Sequence, residues 1–244
     1  MTARIGDIWV YLSASPLLWL TLTLLSYQAA LWGAERLRWH PLANPVLISV
    51  VLIASLLLLT DTPYPAYFDG AQFVHFLLGP ATVALAIPLY AQWRRLKSMA
   101  GALLVALVAG SLTAALSAWA LGRLLGASHS TLMSLAPKSV TTPIAMAVAE
   151  RLGGLPSLTA VLVILTGMVV AVCANALLRV LRIEDDAVRG FAIGLAGHGI
   201  GTARAFQISE QAGAFSALAM GLNGLLTAVM LPWLMPWVER GFRP

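Results

Sequence analysis

In a chain of 244 residues, 59% are hydrophobic and only 10% are charged; a soluble domain of similar size carries about a quarter of its residues as charges. This composition excludes a disordered chain, a nucleic-acid reader and most soluble enzymes, and points to an integral membrane protein. The net charge of +5 does not signal nucleic acid, because the basic residues gather between apolar runs: Arg36 with Arg38, Arg94 and Arg95 with Lys97, and Arg179 and Arg182 with Arg189. That is the positive-inside pattern of a membrane protein.

No Asp, Glu, Lys or Arg occurs in residues 39–60, 70–93, 99–122, 152–178 or 211–238, runs of 22 to 28 residues. A helix needs about 20 residues to cross a hydrocarbon core of roughly 30 Å. These continuous runs lack the alternation of a membrane barrel. The expected fold class is all-α: a polytopic helical membrane protein of about six to eight segments, including interrupted or re-entrant helices. Residues 1–244 read as one integral domain, with ordinary spans in 1–126 and the interrupted segments in 127–244. Cys173 is the single cysteine, so no intramolecular disulfide is possible. Met1–Asp7 does not open a cleavable signal, and direct insertion through the first span is expected.

In chain order, Ser15-Pro16 predicts a first span over 16–37, and Asn44-Pro45 opens a second over 45–60. Asp61, Pro63, Pro65 and Asp69 fall in an expected outer loop without Lys or Arg. A third span over 71–93 contains Gly79-Pro80 and Pro88, and a fourth over 98–122 returns outward. Residues 130–152 hold Pro137, Lys138, Pro143 and Glu150, too polar and too broken for a simple span. With 122–130 outside and 179–189 inside, their parity predicts a re-entrant hairpin. A span over 157–178 follows, then a segment over 187–210 interrupted by glycines, then a last span over 212–238. Units of a broken segment and a long one, starting near 71, 130 and 187, suggest an internal repeat. Trp19, Trp32, Trp93, Trp233 and Trp237 near span ends are expected in interface belts.

Two stretches carry the chemistry. In Leu135–Met146, Pro137 and Pro143 each lack an amide hydrogen and push the preceding residue out of the α region. Lys138 to Thr142 are therefore expected to be non-helical, with a half-helix restarting at Pro143. Its free amides and positive dipole end suit an anion, Lys138 adds a full charge, and Ser139, Thr141 and Thr142 add hydroxyls. Lys138 is one of two lysines in the chain, and an ionisable residue between apolar segments is a functional candidate by default. In Gly194–Phe206, Gly197, Gly199 and Gly201 predict unwinding around His198, with Thr202 capping a new helix that holds Arg204 near its amide end. Arg204 then grips a carboxylate with two parallel bonds, and His198 carries a proton or donates a hydrogen bond. The bland alternative for these glycines is close helix packing. Gly79, Pro80 and Thr82 are lesser candidates for the same cavity. Asn223, a lone amide in a charge-free span, is a substrate contact or, more simply, an interhelical hydrogen bonder. A hydrolase built on Ser139 with Lys138 or His198 is discounted, because adjacent side chains point apart and no third member is evident. No cofactor or metal site is read from the sequence.

At these stretches the chain resembles the LrgB/CidB family of antiholin-like bacterial membrane proteins, nearly over its full length. The resemblance rests on Asn44-Pro-Val-Leu-Ile-Ser, on Phe76-Leu-Leu-Gly-Pro-Ala-Thr-Val-Ala-Leu-Ala-Ile-Pro-Leu-Tyr90 and on Pro137-Lys-Ser-Val-Thr-Thr-Pro-Ile-Ala-Met146. It continues in Gly153-Gly-Leu-Pro-Ser-Leu-Thr-Ala, His198-Gly-Ile-Gly-Thr-Ala-Arg204 and Gly213-Ala-Phe-Ser-Ala-Leu-Ala-Met-Gly221. Gly197 departs from the small polar residue expected before the histidine. The resemblance implies a multi-pass protein of the bacterial inner membrane and two functional stories. One is control of murein hydrolase export and lysis with a small LrgA/CidA-type partner. The other, through the related plastid glycolate/glycerate translocator and relatives tied to pyruvate uptake, is transport of small carboxylates such as glycolate, glycerate, pyruvate or lactate. Basic residues at broken helix ends favour transport by alternating access, in a homo-oligomer such as a dimer, with the lipid bilayer and the carboxylate as partners and no nucleic acid.

Overall fold

The computed structural model describes residues 15–37 and 43–241, without the side chains of Leu78 and Thr82. Met1–Asp7 and Arg38 lie outside the described residues. Eleven helices are described: α1 Pro16–Arg36, α2 Pro45–Leu59, α3 Tyr64–Phe76, α4 Leu78–Ala84, α5 Ala86–Ala91, α6 Trp93–Leu124, α7 His129–Leu135, α8 Thr142–Arg151, α9 Pro156–Val180, α10 Asp186–Phe206 and α11 Glu210–Gly241. Five described stretches are long and apolar enough to cross a membrane: α1, the run Tyr64–Ala91, α6, α9 and α11; α2 is shorter. The chain is a polytopic all-α membrane protein. It forms two compact units, divided between Ala84 and Leu85.

In the N-terminal unit, α1 packs against α2 and α3. Asn44 caps α2 by accepting hydrogen bonds from the amides of Val46 (2.9 Å) and Leu47 (3.2 Å). Trp19 is not in an interface belt: it is 1% exposed and meets Tyr67 edge-on, with ring centroids 5.9 Å apart. Trp32, Trp93, Trp233 and Trp237 are exposed, as an interface belt requires. The expected outer loop is shorter than its composition suggests. Pro65 and Asp69 lie inside α3, because a proline in the first turn costs no hydrogen bond. The helix then breaks at Leu77 and again at Leu85, where Pro80 and Pro88 cannot bond the carbonyls four residues back.

The C-terminal unit is organised around two helical hairpins. α6 ends in a turn at Gly126 (φ 77°), and α7, a non-helical segment over 136–141, and α8 follow. Both ends of this first hairpin lie together. His129, at the start of α7, contacts Glu239 near the end of α11 at 2.7 Å. On the return arm, the amide of Leu155 donates to Ser134 Oγ at 2.8 Å. Both ends of the segment therefore lie at one end of the unit, the arrangement that a re-entrant hairpin requires.

α10 doubles back in the same way, at His198, whose backbone (φ 42°, ψ −135°) is not helical. A Cβ on Gly201 would stand 2.8 Å from the carbonyl oxygen of Ile193, a contact that no straight helix permits across eight residues. The outgoing arm lies on α11 without space for any side chain: a Cβ on Gly190 would meet Ala212 O at 2.0 Å, and one on Gly194 would meet Ser216 O at 2.1 Å. Small residues there let the backbones touch, which is how helices associate in lipid.

The two hairpins enter from opposite ends of the unit. The first opens at the end holding Arg123, Arg151 and Arg240. The second opens at the end where Arg95 pairs with Asp185 and where Arg94, Lys97, Arg179, Arg182 and Arg189 cluster. The positive-inside rule assigns this more basic end to the cytoplasm. Between the hairpins, α6 supplies Ala115 and Trp119 to the core of the first, and Leu103 and Leu107 to the core of the second.

Candidate functional site at the hairpin tips

The tips of the two hairpins meet halfway along α9 and α11. Asn223, on α11 and 1% exposed, donates from Nδ2 to the carbonyls of Ser139 (3.2 Å) and Leu195 (2.9 Å), one on each hairpin. Its Oδ1 accepts from the hydroxyls of Ser111 on α6 and Thr227 one turn along α11. Opposite, Val163 on α9 packs with Val140 and Ala145 of the first hairpin, while its carbonyl accepts a 2.9 Å hydrogen bond from Nε2 of His198. A carbonyl cannot donate, so His198 carries its proton on Nε2. Asn223 and Val163 thus fasten both tips at one level.

Lys138 to Thr141 are non-helical, as expected, whereas Thr142 already belongs to α8, and the segment is tighter than two prolines suggest. Ala136 keeps α-region angles (φ −54°, ψ −45°), and two turns follow, closed by Lys138 N to Leu135 O (3.2 Å) and Val140 N to Pro137 O (3.3 Å). Thr141 is extended (φ −63°, ψ 146°), and α8 starts at Thr142 with no side chain capping it. Its first amides and the hydroxyls of Thr141 and Thr142 are not engaged by protein side chains among the described residues. Lys138 is partly buried in this turn, and no carboxylate among the described residues lies within ion-pair distance of it. Its Nζ is 3.5 Å from Ser139 Oγ, so these neighbours do not point apart as the sequence suggests. Lys138 also lies within electrostatic reach of His198 on the other hairpin.

Arg204 is not part of this cluster. The helix after His198 restarts at once, so Thr202 does not cap it. Its Oγ1 bonds back to the carbonyl of His198 (2.8 Å) and to Ser216 Oγ (3.0 Å), both buried. Arg204 consequently sits in the last turn of α10, bonded through Nη1 to Gln207 Oε1 at 2.6 Å and within electrostatic reach of Arg179. A cation there suits the negative end of a helix and lies at the base of the hairpin. Of the three glycines, Gly197 packs against Val170 and Gly201 against Ile193, and Gly199 alone is exposed at the tip. Asn223 has both amide hydrogens and its oxygen committed to protein partners, which makes it a fastener of the tips. Gly79 and Pro80 are exposed in the N-terminal unit; the Thr82 side chain lies outside the described residues.

Ser111, Thr227, Val163 and Gly167 are the participants that sequence reasoning missed. Asn223 and Thr227 are four apart and share a helix face, a signal that was legible. Gly167 is needed for His198 to reach α9, because a Cβ there would stand 2.8 Å from its Cε1 and 2.9 Å from its Nε2. Gly167→Val is expected to push His198 off Val163 and to cost about 1–3 kcal/mol through overpacking and a lost bond. Thermal unfolding of the purified variant in detergent checks this; an unchanged midpoint would mean that the histidine is not held there.

The comparisons with known proteins follow the same segments. Residues 23–237 match the model of the LrgB-like family. A Bacillus subtilis protein named YwbG is 37% identical over 195 residues, covering 80% of this chain and 87% of its own length. Another, YxaC, is 36% identical over 202 residues, covering 81% and 86%. The antiholin-like protein LrgB of Bacillus cereus strain B4264 is 30% identical over 197 residues, covering 81% and 86%. No solved structure matches the chain. A family match from the first span to the last, over a fold of membrane helices, makes this chain a multi-pass protein of the bacterial inner membrane that belongs to the LrgB-like family.

Proposed function

We propose that this protein is a secondary transporter, or the transporting subunit of one, for small monocarboxylates of the size of glycolate, glycerate, pyruvate or lactate. The observation that carries the reading is Lys138: a cation without a carboxylate partner among the described residues, at the tip of a hairpin, beside an uncapped helix start. Taking a charge out of water is costly unless it is paired, so such a site favours an anion. The substrate carboxylate meets Lys138 and the first amides of α8, while its hydroxyl or keto oxygen meets Ser139, Thr141 or Thr142. His198 faces the same region from the second hairpin, next to the exposed backbone of Gly199. Arg204 and Arg179 act at the cytoplasmic mouth as an electrostatic funnel.

Hairpins entering from opposite ends support alternating access, each tip blocking one path to a common midplane site. They also support reading the broken-then-long units as inverted structural repeats. The strain at His198, a non-glycine residue in the left-handed half of conformational space, is of the kind that stores a few kcal/mol at switching elements.

A second reading draws on the relatives named antiholin-like. In it the chain controls murein hydrolase export and lysis together with a small LrgA/CidA-type membrane partner, and this printed name favours it more directly than it favours transport. One experiment separates the two. Proteoliposomes holding this chain alone, as monomer or homodimer, are given labelled glycolate, glycerate, pyruvate and lactate, with a trapped dye in parallel. Saturable uptake of one or more carboxylates without dye loss is the expected result. No uptake above empty liposomes overturns the transport reading, and dye leakage without selectivity supports a pore.

A further inference from the structure

Beside Asn223 the structure holds a small cavity of about 10 Å³, between α6, the turn of the first hairpin and α11. Its polar lining is Ser111, Ser139, Asn223 and Thr227, which are 4%, 7%, 1% and 5% exposed. All four are neutral and each side chain carries an oxygen, that of Ser139 lying 3.5 Å from Lys138 Nζ. Asn223 cannot turn its amide around, because both Nδ2 hydrogens are held by the carbonyls of Ser139 and Leu195. Its Oδ1 is therefore fixed toward Ser111 and Thr227.

We infer that this cavity is a binding site for a dehydrated Na+ ion, which serves as co-ion for the anion at Lys138; the second half of this inference rests on the transport reading above. The volume is that of about one water or one small ion. Hard cations take oxygen ligands. A divalent ion of this kind needs carboxylates, and no cluster of three or more His, Cys, Asp or Glu suited to a metal occurs among the described residues. A monovalent ion is held by carbonyl, amide and hydroxyl oxygens alone, which is how unwound segments of membrane helices hold it. Hydroxyls can turn their lone pairs inward, so Ser111 and Thr227 exchange their hydrogen bonds to Oδ1 for contacts with the ion.

The site also has a reason to be coupled. The turn lines the cavity with Ala136, Pro137, Ser139 and Val140, and Lys138 stands between two of them. An ion bound to Ser139 and Asn223 braces the turn that presents Lys138. Na+ and Lys138 repel each other until an anion arrives between them, so each ligand raises the affinity of the other, and the coupling is reciprocal. A monocarboxylate entering alone against a negative-inside potential costs about 2.3 kcal/mol per 100 mV, and entering with one Na+ it moves no net charge.

The test is made first without substrate. Thermal unfolding of the purified protein in detergent is followed in ~100 mM NaCl, KCl or choline chloride. Na+ is expected to raise the midpoint by ~3–5 °C over choline, with little effect of K+. Ser111→Ala and Thr227→Val should each abolish most of that shift, whereas Lys138→Gln should retain it. In proteoliposomes an inward Na+ gradient should then raise carboxylate uptake several-fold over choline. Equal midpoints in NaCl and choline chloride for the unaltered protein overturn the site, even if a variant fails to fold. A Na+ shift that survives in the Ser111→Ala/Thr227→Val double variant also overturns it, since the ion then binds elsewhere. A Na+ shift lost in that variant, without any carboxylate uptake, leaves the cation site standing and removes the transport reading.

Discussion

Lys138→Gln is expected to reduce carboxylate uptake in proteoliposomes by about 30- to 200-fold in kcat/KM, while leaving the protein as stable as before or slightly more so. The loss follows from removing the one charge at the hairpin tip. A charge-assisted hydrogen bond in a site shielded from water is worth about 2–3 kcal/mol, and each 1.4 kcal/mol is tenfold. The gain in stability follows from the same feature. Lys138 has no carboxylate partner among the described residues, and a partly buried, unpaired charge opposes folding. Opposite signs in the two measurements separate a ligand-binding lysine from one that merely packs. Lys138→Arg should restore little, because a planar fork on a longer stem does not replace a compact ammonium in a turn closed by Pro137 and Val140. Arg204→Gln should cost much less, a few-fold at most, since Arg204 lies at the base of the second hairpin with Gln207. Uptake that survives in Lys138→Gln sinks the proposed site.

Asn223→Leu should be the most damaging single change to the architecture, at about 2–4 kcal/mol. The side chain is nearly isosteric, so the loss is in polar satisfaction. The carbonyls of Ser139 and Leu195 each lose a donor, and the hydroxyl of Ser111 loses its acceptor. Buried groups left without partners cost about 1–3 kcal/mol each, moderated in membranes by the alternative partners that the unfolded state finds. Asn223→Asp should not rescue the protein, because both contacts to the hairpins require N–H groups and a carboxylate would face two carbonyl oxygens. The readout is the thermal midpoint together with the rate of proteolytic nicking at 136–141 and around His198. Leucine at 223 should speed cutting at both tips together. Faster cutting at one tip only would show that Asn223 does not couple them.

Much of the fold was legible before any coordinates. Charge-free runs located α6, α9 and α11 to within a few residues at most ends, because a hydrocarbon core tolerates no ionised side chain and demands a helix. Charge parity around 130–152 identified a hairpin, and Pro137 and Pro143 located its break, since each removes an amide hydrogen whatever surrounds it. The site was less legible. Gly197, Gly199 and Gly201 signalled a break, but the residue that takes the left-handed conformation is His198 itself. Two of those glycines serve packing, against Val170 and Ile193. Arg204 reads as a partner of Lys138 only while the direction of the chain after His198 is unknown.

The sequence by itself determined the class of the protein, its approximate spans and the first hairpin, and it singled out Lys138 as a candidate. These follow from local properties: hydrocarbon excludes charge, proline lacks a donor, and a lone lysine in an apolar setting needs a reason. Only the tertiary structure decided that 187–210 is also a hairpin, that it enters from the opposite end, and that Asn223 and Val163 fasten both tips at one level. It also separated Arg204 from Lys138 and grouped Ser111, Ser139, Asn223 and Thr227 around one cavity. The physical reason is that hydrogen bonds between remote segments carry no periodicity. Residues 111 and 223 leave no mark on each other until the chain has folded.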